Sequence, residues 1–260
     1  SWTYAGNAAR TGVFPGPGLH LDQEITELWR IDGGRFYVPA AVSDGTVFYA
    51  PSEVDPATNA MPPVITVDAR TGQEHWRHDP PATDSLTFFQ GELAIADGLL
   101  VATTNSGILL GLDDASGEER WIFDLQATTR WASPAIVDGV LYAGDPTSVN
   151  AIKLGDAPEW LWKASLADGI ASVVSAIVSV DSDYVIATST RPFSDDHPDD
   201  KTTDIHVLNR ADGNELYRHE QSSGGEITQV AVQNGMLFSR IDGVRAQNGS
   251  ACFSLSLDGT

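Results

Sequence analysis

A ten-residue phrase recurs along this chain. Val67-Asp68-Ala69-Arg70-Thr71-Gly72-Gln73-Glu74-His75-Trp76 returns as Leu112-Asp113-Asp114-Ala115-Ser116-Gly117-Glu118-Glu119-Arg120-Trp121. Worn copies stand at 153–162 and 208–217. The closing aromatics Trp76, Trp121, Trp162 and Tyr217 fall 45, 41 and 55 residues apart. A period of that size means one supersecondary unit used repeatedly, so the fold is an array of that unit.

A second repeated element precedes each phrase. Runs rich in β-branched and apolar residues flank Asp44-Gly45, Asp97-Gly98, Asp138-Gly139 and Asn234-Gly235, with a looser copy around Ser182-Asp183. Asp-Gly and Asn-Gly favour two-residue hairpin turns because both central residues need positive φ. A third strand leads into the Asp of each phrase: 64–67, 108–112, 149–154, 205–208 and 252–257. The Asp-x-x-Thr/Ser-Gly segment turns, and a fourth strand ends at the aromatic. Four short antiparallel strands per unit make a propeller blade, and no amphipathic helix interrupts the series.

The pattern therefore predicts an all-β, single-domain propeller over residues 1–260. Its blades fall at about 31–78, 79–124, 125–165, 166–219 and 220–260, five in number, after a strap at 1–24. The fifth unit stops at Asp258-Gly259-Thr260, before its fourth strand. Ile25-Thr26-Glu27-Leu28-Trp29-Arg30 is an orphan strand ending in Trp, and it is expected to complete that blade and close the ring. The competing reading is a piece of a longer propeller.

Charge narrows the function classes. Thirty-six Asp and Glu face 15 Lys and Arg, a net charge of -21, and only Lys153, Lys163 and Lys201 are lysines. Phosphate recognition needs a basic stripe that is absent here, which disfavours nucleic acid as a partner. The acids are spread along a well-patterned chain with seven tryptophans, unlike a disordered acidic tail. Abundant carboxylates with few lysines suit a salt-adapted, halophilic protein, because salt screens the self-repulsion of the compact state. The lone Cys252 excludes an internal disulfide and reads as a small core residue. No apolar run reaches membrane-spanning length. No signal peptide is visible, and the opening Ser1-Trp2-Thr3-Tyr4 reads as a processed or trimmed start.

The phrase resembles the tryptophan-docking motif of the PQQ-like, quinoprotein-type β-propeller repeats. In that family the Trp wedges between neighbouring blades and the Gly sits in the preceding turn. Asp68, Gly72 and Trp76 match the motif, as do Asp113, Gly117 and Trp121; Trp162 keeps the aromatic alone, and Asp212-Gly213 with Tyr217 is a weakened copy. Trp29 stands in the same docking role at the head of the chain. The stretch Trp2 to Gly12 also resembles the usual start of these proteins. The resemblance implies two branches. Quinoprotein dehydrogenases hold pyrroloquinoline quinone and calcium in eight-bladed rings under a vicinal disulfide, which one cysteine cannot form, so that cofactor is disfavoured. The other branch is non-catalytic and includes the propeller lipoprotein of the outer-membrane-protein assembly machine. It implies an exported, cell-surface scaffold, lipid-anchored upstream of residue 1 where an anchor exists.

Propeller geometry puts the links between blades, and those between second and third strands, on one face around the channel mouth. The first set carries Arg35, Phe36, Phe88, Gln90, Arg130, Trp131 and Glu226. Arginine forks with aromatic floors could clamp a carboxylate, a sugar or a peptide; alternatively the aromatics plug the channel and the arginines pair with local acids. Both long insertions, 51–62 and 191–204, belong to the second set and are expected to be loops. The latter holds Asp195, Asp196, Asp199, Asp200 and Asp204 beside His197, enough oxygens for calcium, though an acidic surface produces such clusters without a ligand. No nucleophile elbow, His-Glu-x-x-His or phosphate loop occurs, and the six histidines share no metal-ligand spacing. The reading is a non-enzymatic scaffold, monomeric or part of a larger assembly, binding a protein or peptide on the insertion-bearing face. A small-ligand or cofactor-binding propeller is the alternative, with a lectin-like carbohydrate binder beside it.

Overall fold

The structure is a computed structural model, and it describes residues 26–31, 40–51, 62–80, 89, 92–127, 134–166, 179–180, 182–194, 197–221, 225–233, 236–243 and 251–256. Its elements are all strands. β1 (Ala41–Ser43), β2 (Thr46–Tyr49), β3 (Val64–Asp68) and β4 (Glu74–His78) form one antiparallel sheet in chain order. β5 (Ala94–Ala96), β6 (Leu99–Thr103), β7 (Ile108–Asp113) and β8 (Glu119–Asp124) form the second. β9 (Ala135–Val137), β10 (Val140–Gly144), β11 (Ser148–Lys153) and β12 (Glu159–Ser165) form the third. β13 (Ser179–Val180), β14 (Tyr184–Ser194), β15 (His197–Asn209) and β16 (Glu215–Gln221) form the fourth. β17 (Gly225–Gln233), β18 (Met236–Gly243) and β19 (Ala251–Ser256) make a three-stranded fifth.

The hairpin chemistry works as expected. Asp44, Asp97 and Asp138 have φ of 46°, 51° and 50°, and the glycines after them 77°, 77° and 71°. Such a pair, positive φ at both central residues, joins β1 to β2, β5 to β6 and β9 to β10 without splaying the twisted strands. Each first strand lies beside the next sheet's first strand, in the succession β1, β5, β9, β13, β17. The core lies between successive sheets. Phe48, Val64, Leu100 and Leu112 pack between the first and second; Leu99, Leu109, Ile136 and Ile152 between the second and third; Tyr142, Val149, Val185 and Leu208 between the third and fourth. This is propeller packing, in which the second and third sheets bury both faces against their neighbours.

Two expectations change. The 191–204 insertion is not a loop but the far half of a long hairpin, with Ser189 opposite Asp204, Arg191 opposite Thr202 and Ser194 opposite His197. Threonine recurs at 188, 190, 202 and 203, a β-branched residue type that favours strands. Residues 26–31 also form no strand, and β19 pairs only with β18 among the described residues, so the closing ladder is not made there. One aromatic anchor holds the segment instead: Leu28 is 72% exposed while Trp29 docks on the first sheet. Among the described residues no helix is long and apolar enough to cross a membrane.

Candidate functional site

The repeated phrase builds a latch between sheets. In the first sheet the Asp68 carboxylate accepts hydrogen bonds from the backbone N–H of Arg70 and Thr71 and from the Thr71 hydroxyl, at 2.9, 2.7 and 2.9 Å. This turn leaves Gly72 at φ +70°. Asp113 does the same for Ala115 and Ser116, with Gly117 at +75°. The Arg120 guanidinium and the Ser116 donors hold the Asp113 carboxyl down to about 2. In the fourth sheet Asn209 takes the Asp role, accepting from Ala211 N–H at 2.8 Å, with Gly213 at +74°.

Each glycine receives an indole from the preceding unit. A Cβ on Gly72 would lie 2.8 Å from Trp29 Cγ; one on Gly117 or Gly213 would lie 2.5 Å from Cε3 of Trp76 or Trp162. The three Nε1–H groups donate to the carbonyls of Ala69, Asp114 and Arg210 at 3.0, 3.1 and 3.1 Å. His78 adds a ring-nitrogen contact to the Gly117 carbonyl at 3.2 Å. Trp29, Trp76 and Trp162 each lie over the glycine of the following turn. Tyr217 is 51% exposed, and the turn that would receive it, 258–260, lies outside the described residues.

Trp121 does not follow. The turn of the third sheet places Lys153 where the others have Asp or Asn, and Ile152 pairs with Trp160 across one more residue than Val67 and Glu74 enclose. Gly155 has no positive φ, and a Cβ there would meet nothing within 4 Å. With no seat ahead, the Trp121 ring leans back on its own sheet, where a Cβ on Gly111 would fall 2.2 Å from Cε2. The positions equivalent to Gly111, opposite the other aromatics, are Thr66, Ala151 and Val207. Trp121 is 7% exposed, and among the described residues its Nε1–H has no hydrogen-bond partner. The unfilled latch leaves a cleft of about 460 Å³ lined by residues that include Leu99, Arg120, Trp121, Ile136, Leu154 and Asp156. The hairpin residues Asp97 and Gly139 line it too, so it opens on the side of the first hairpins, opposite the insertion-bearing face.

Two buried polar groupings went unseen in the sequence. The His206 ring is fully buried on β15, with Nε2 at 2.7 Å from Ser189 Oγ on β14 and Nδ1 at 2.7 Å from Glu215 Oε2 on β16. Burial holds the His206 pKa low against the opposing pull of Glu215. A neutral ring satisfies the chain: the Ser189 hydroxyl donates to Nε2, and Nδ1–H donates to Glu215. Burial alone would raise the Glu215 pKa, but the hydrogen bonds from His206 and Arg218 keep it lowered. The arrangement has the order of a nucleophile, base and orienting acid, yet Ser189 is only 2% exposed, so it ties three strands together rather than offering an attacking oxygen. Only the β14–β15–β16 register, not sequence spacing, joins these residues. At the β10–β11 turn, Asp145 is buried; burial pushes its carboxyl up, and Lys163 at 2.8 Å, Thr147 and Asn150 outweigh that and hold it low.

The expected rim residues Arg35, Phe36, Phe88, Gln90, Arg130 and Trp131 lie outside the described residues, and Glu226 is placed only as a backbone position on β17. Of the acidic insertion, Asp195 and Asp196 also lie outside, Asp199 and Asp200 sit on β15, and Asp204 is buried in that strand at 2% exposure. Among the described residues no three metal-ligating side chains gather.

Apolar side chains crowd the outer edge. Fourth strands are terminal in their sheets, and Ile122 on β8, Trp160 and Leu161 on β12, and Leu216 and Tyr217 on β16 are 46, 40, 51, 53 and 51% exposed. Phe123 and Trp160 touch across the second and third sheets with ring centroids 5.2 Å apart, and Lys163 lies 5.8 Å over the Trp160 ring.

Residues 60–157 match a family model described as outer membrane protein assembly factor BamB. No curated protein matches the chain. Among solved structures, the quinohemoprotein alcohol dehydrogenase ADHIIG of Pseudomonas putida HK5 aligns with 86% of this chain and 42% of its own, at 13% identity and a TM-score of 0.56. A europium-containing methanol dehydrogenase aligns with 80% of this chain and 49% of its own, at 14% identity and TM-score 0.56. The computationally designed Ika8 protein aligns over 85% and 71%, at 15% identity and TM-score 0.50. The chain thus spans less than half the length of either dehydrogenase. At these identities the structures speak to fold alone, an all-β propeller, and the family match is confined to residues 60–157.

Proposed function

We propose that this chain is a non-enzymatic interaction scaffold at a cell surface, binding an extended polypeptide along its outer strands. The observation that carries the reading is the apolar edge at Ile122, Phe123, Trp160 and Leu161, which spans two neighbouring sheets. β12 ends its sheet, so one side of its backbone has no ladder partner within the sheet, while Trp160 and Leu161 offer contacts for alternating side chains. Strand addition uses both features, backbone bonds for affinity and side-chain pockets for register. The assembly-factor description of the matching family supports the choice of a protein partner and of a surface location.

Selection from a displayed library of extended peptides tests this. Enriched peptides should bind the parent chain and lose at least ten-fold in affinity to a Trp160→Ser, Leu161→Ser double variant, since burying one such side chain is worth about 1.5–3 kcal/mol. A library that yields no enriched peptide, or peptides indifferent to the double variant, would overturn the reading.

A further inference from the structure

We infer that the cleft between the second and third sheets is a binding site for an aromatic ring of indole size that carries an alkylammonium. The three fully described latches show what this position accepts. Gly72, Gly117 and Gly213 each lie beneath an indole, whereas over Gly155 nothing comes within 4 Å. The cleft of about 460 Å³ therefore stands where a fourth ring would lie, with Leu99, Ile136 and Leu154 as apolar walls. Trp121 lines it without filling it, and among the described residues its buried Nε1–H has no hydrogen-bond partner. A buried donor without a partner is costly, so a ligand that lets this ring shift and bond recovers part of that cost.

Charge selects among aromatic ligands. Asp97 and Asp156 line the cleft and are exposed. Arg120 also lines it, but its guanidinium is engaged by Asp113. The whole chain carries -21, so the local and the long-range field both favour a cation. An ammonium carried on a short alkyl chain from an aromatic ring satisfies the acidic edge while the ring takes the apolar walls. The site is separate from the outer edge on which the scaffold reading rests.

Three probes of one shape separate the contributions: tryptamine, neutral indole and indole-3-acetate, measured by calorimetry at a single salt concentration that keeps the chain folded. Tryptamine should bind best, with indole-3-acetate at least ten-fold weaker. The Asp97→Asn, Asp156→Asn double variant, at exposed positions, should bring tryptamine down to the affinity of indole. Gly111→Thr restores the kind of side chain found at Thr66, and it should drive the Trp121 ring off its own strand into the cleft, weakening all three probes at least ten-fold. Absence of tryptamine binding to the parent chain overturns the proposal. So does equal affinity for the three probes, or tryptamine binding unchanged in the Asp variant. The Asp variant alone decides the matter if Gly111→Thr does not fold.

Discussion

Substituting alanine at two glycines of nearly identical backbone separates backbone strain from the latch. Gly45 and Gly117 have φ of 77° and 75°, so alanine pays a similar left-handed penalty of about 1 kcal/mol at either. At Gly45 nothing lies within 4 Å of the added Cβ, and the cost ends there. At Gly117 the Cβ lies 2.5, 2.6 and 3.0 Å from three carbons of the Trp76 ring, so the indole must move. Moving it forfeits the bond from Nε1 to the Asp114 carbonyl, worth about 0.5–1.5 kcal/mol, and overpacking adds roughly 1–3 kcal/mol. Gly117→Ala should therefore cost about 3–5 kcal/mol against about 1 for Gly45→Ala. In a chain of this size about 1 kcal/mol moves the melting temperature by 2–4 °C, so thermal unfolding followed by circular dichroism resolves the two. A Trp76→Ala background should bring the Gly117→Ala cost back to about 1 kcal/mol, a coupling of at least about 2 kcal/mol. Equal losses for the two glycine variants, or additivity with Trp76→Ala, would refute the latch.

The docking of residues 26–31 is tested in the same way: Gly72→Ala should cost more than Gly45→Ala in the parent chain, and Trp29→Ala should abolish the difference in melting temperature. Acid should weaken the fourth sheet through His206. Its folded pKa lies below the unfolded value near 6.5, so the unfolded chain binds more protons as pH falls, and stability is intact above about 6.5 and declines below it toward the folded pKa. Urea midpoints should fall between pH 7.5 and 5.5 in the parent chain and stay flat over that window in His206→Gln; a flat parent profile would contradict this. Salt should stabilise the chain, because -21 repels itself at low ionic strength; a melting temperature unchanged between 0.1 M and molar salt would remove the halophilic reading.

What the sequence disclosed and what it hid divide along a physical line. Asp44-Gly45, Asp97-Gly98 and Asp138-Gly139 were legible because a two-residue turn imposes its φ demand on those two residues and on nothing distant. The sheets followed from them, since apolar runs on either side of a fixed turn have one register. A latch is different, because its two halves belong to different sheets. Trp121 ends one of the two fullest copies of the phrase and fails to dock, while Trp162 ends a worn copy and docks well. What decides is the receiving turn: Asn209 with Gly213 holds the shape, and Lys153 with one extra residue does not. The position opposite each aromatic matters as well, and Gly111 becomes a partner of Trp121 only once the β7–β8 register is known. Ser189, His206 and Glu215 were invisible for the same reason, being neighbours across strands and not along the chain. A repeat should therefore be scored between successive copies, each aromatic against the next copy's turn. On that scoring the second copy carries a ring without a seat, and the interface after it is where the propeller has room for something else.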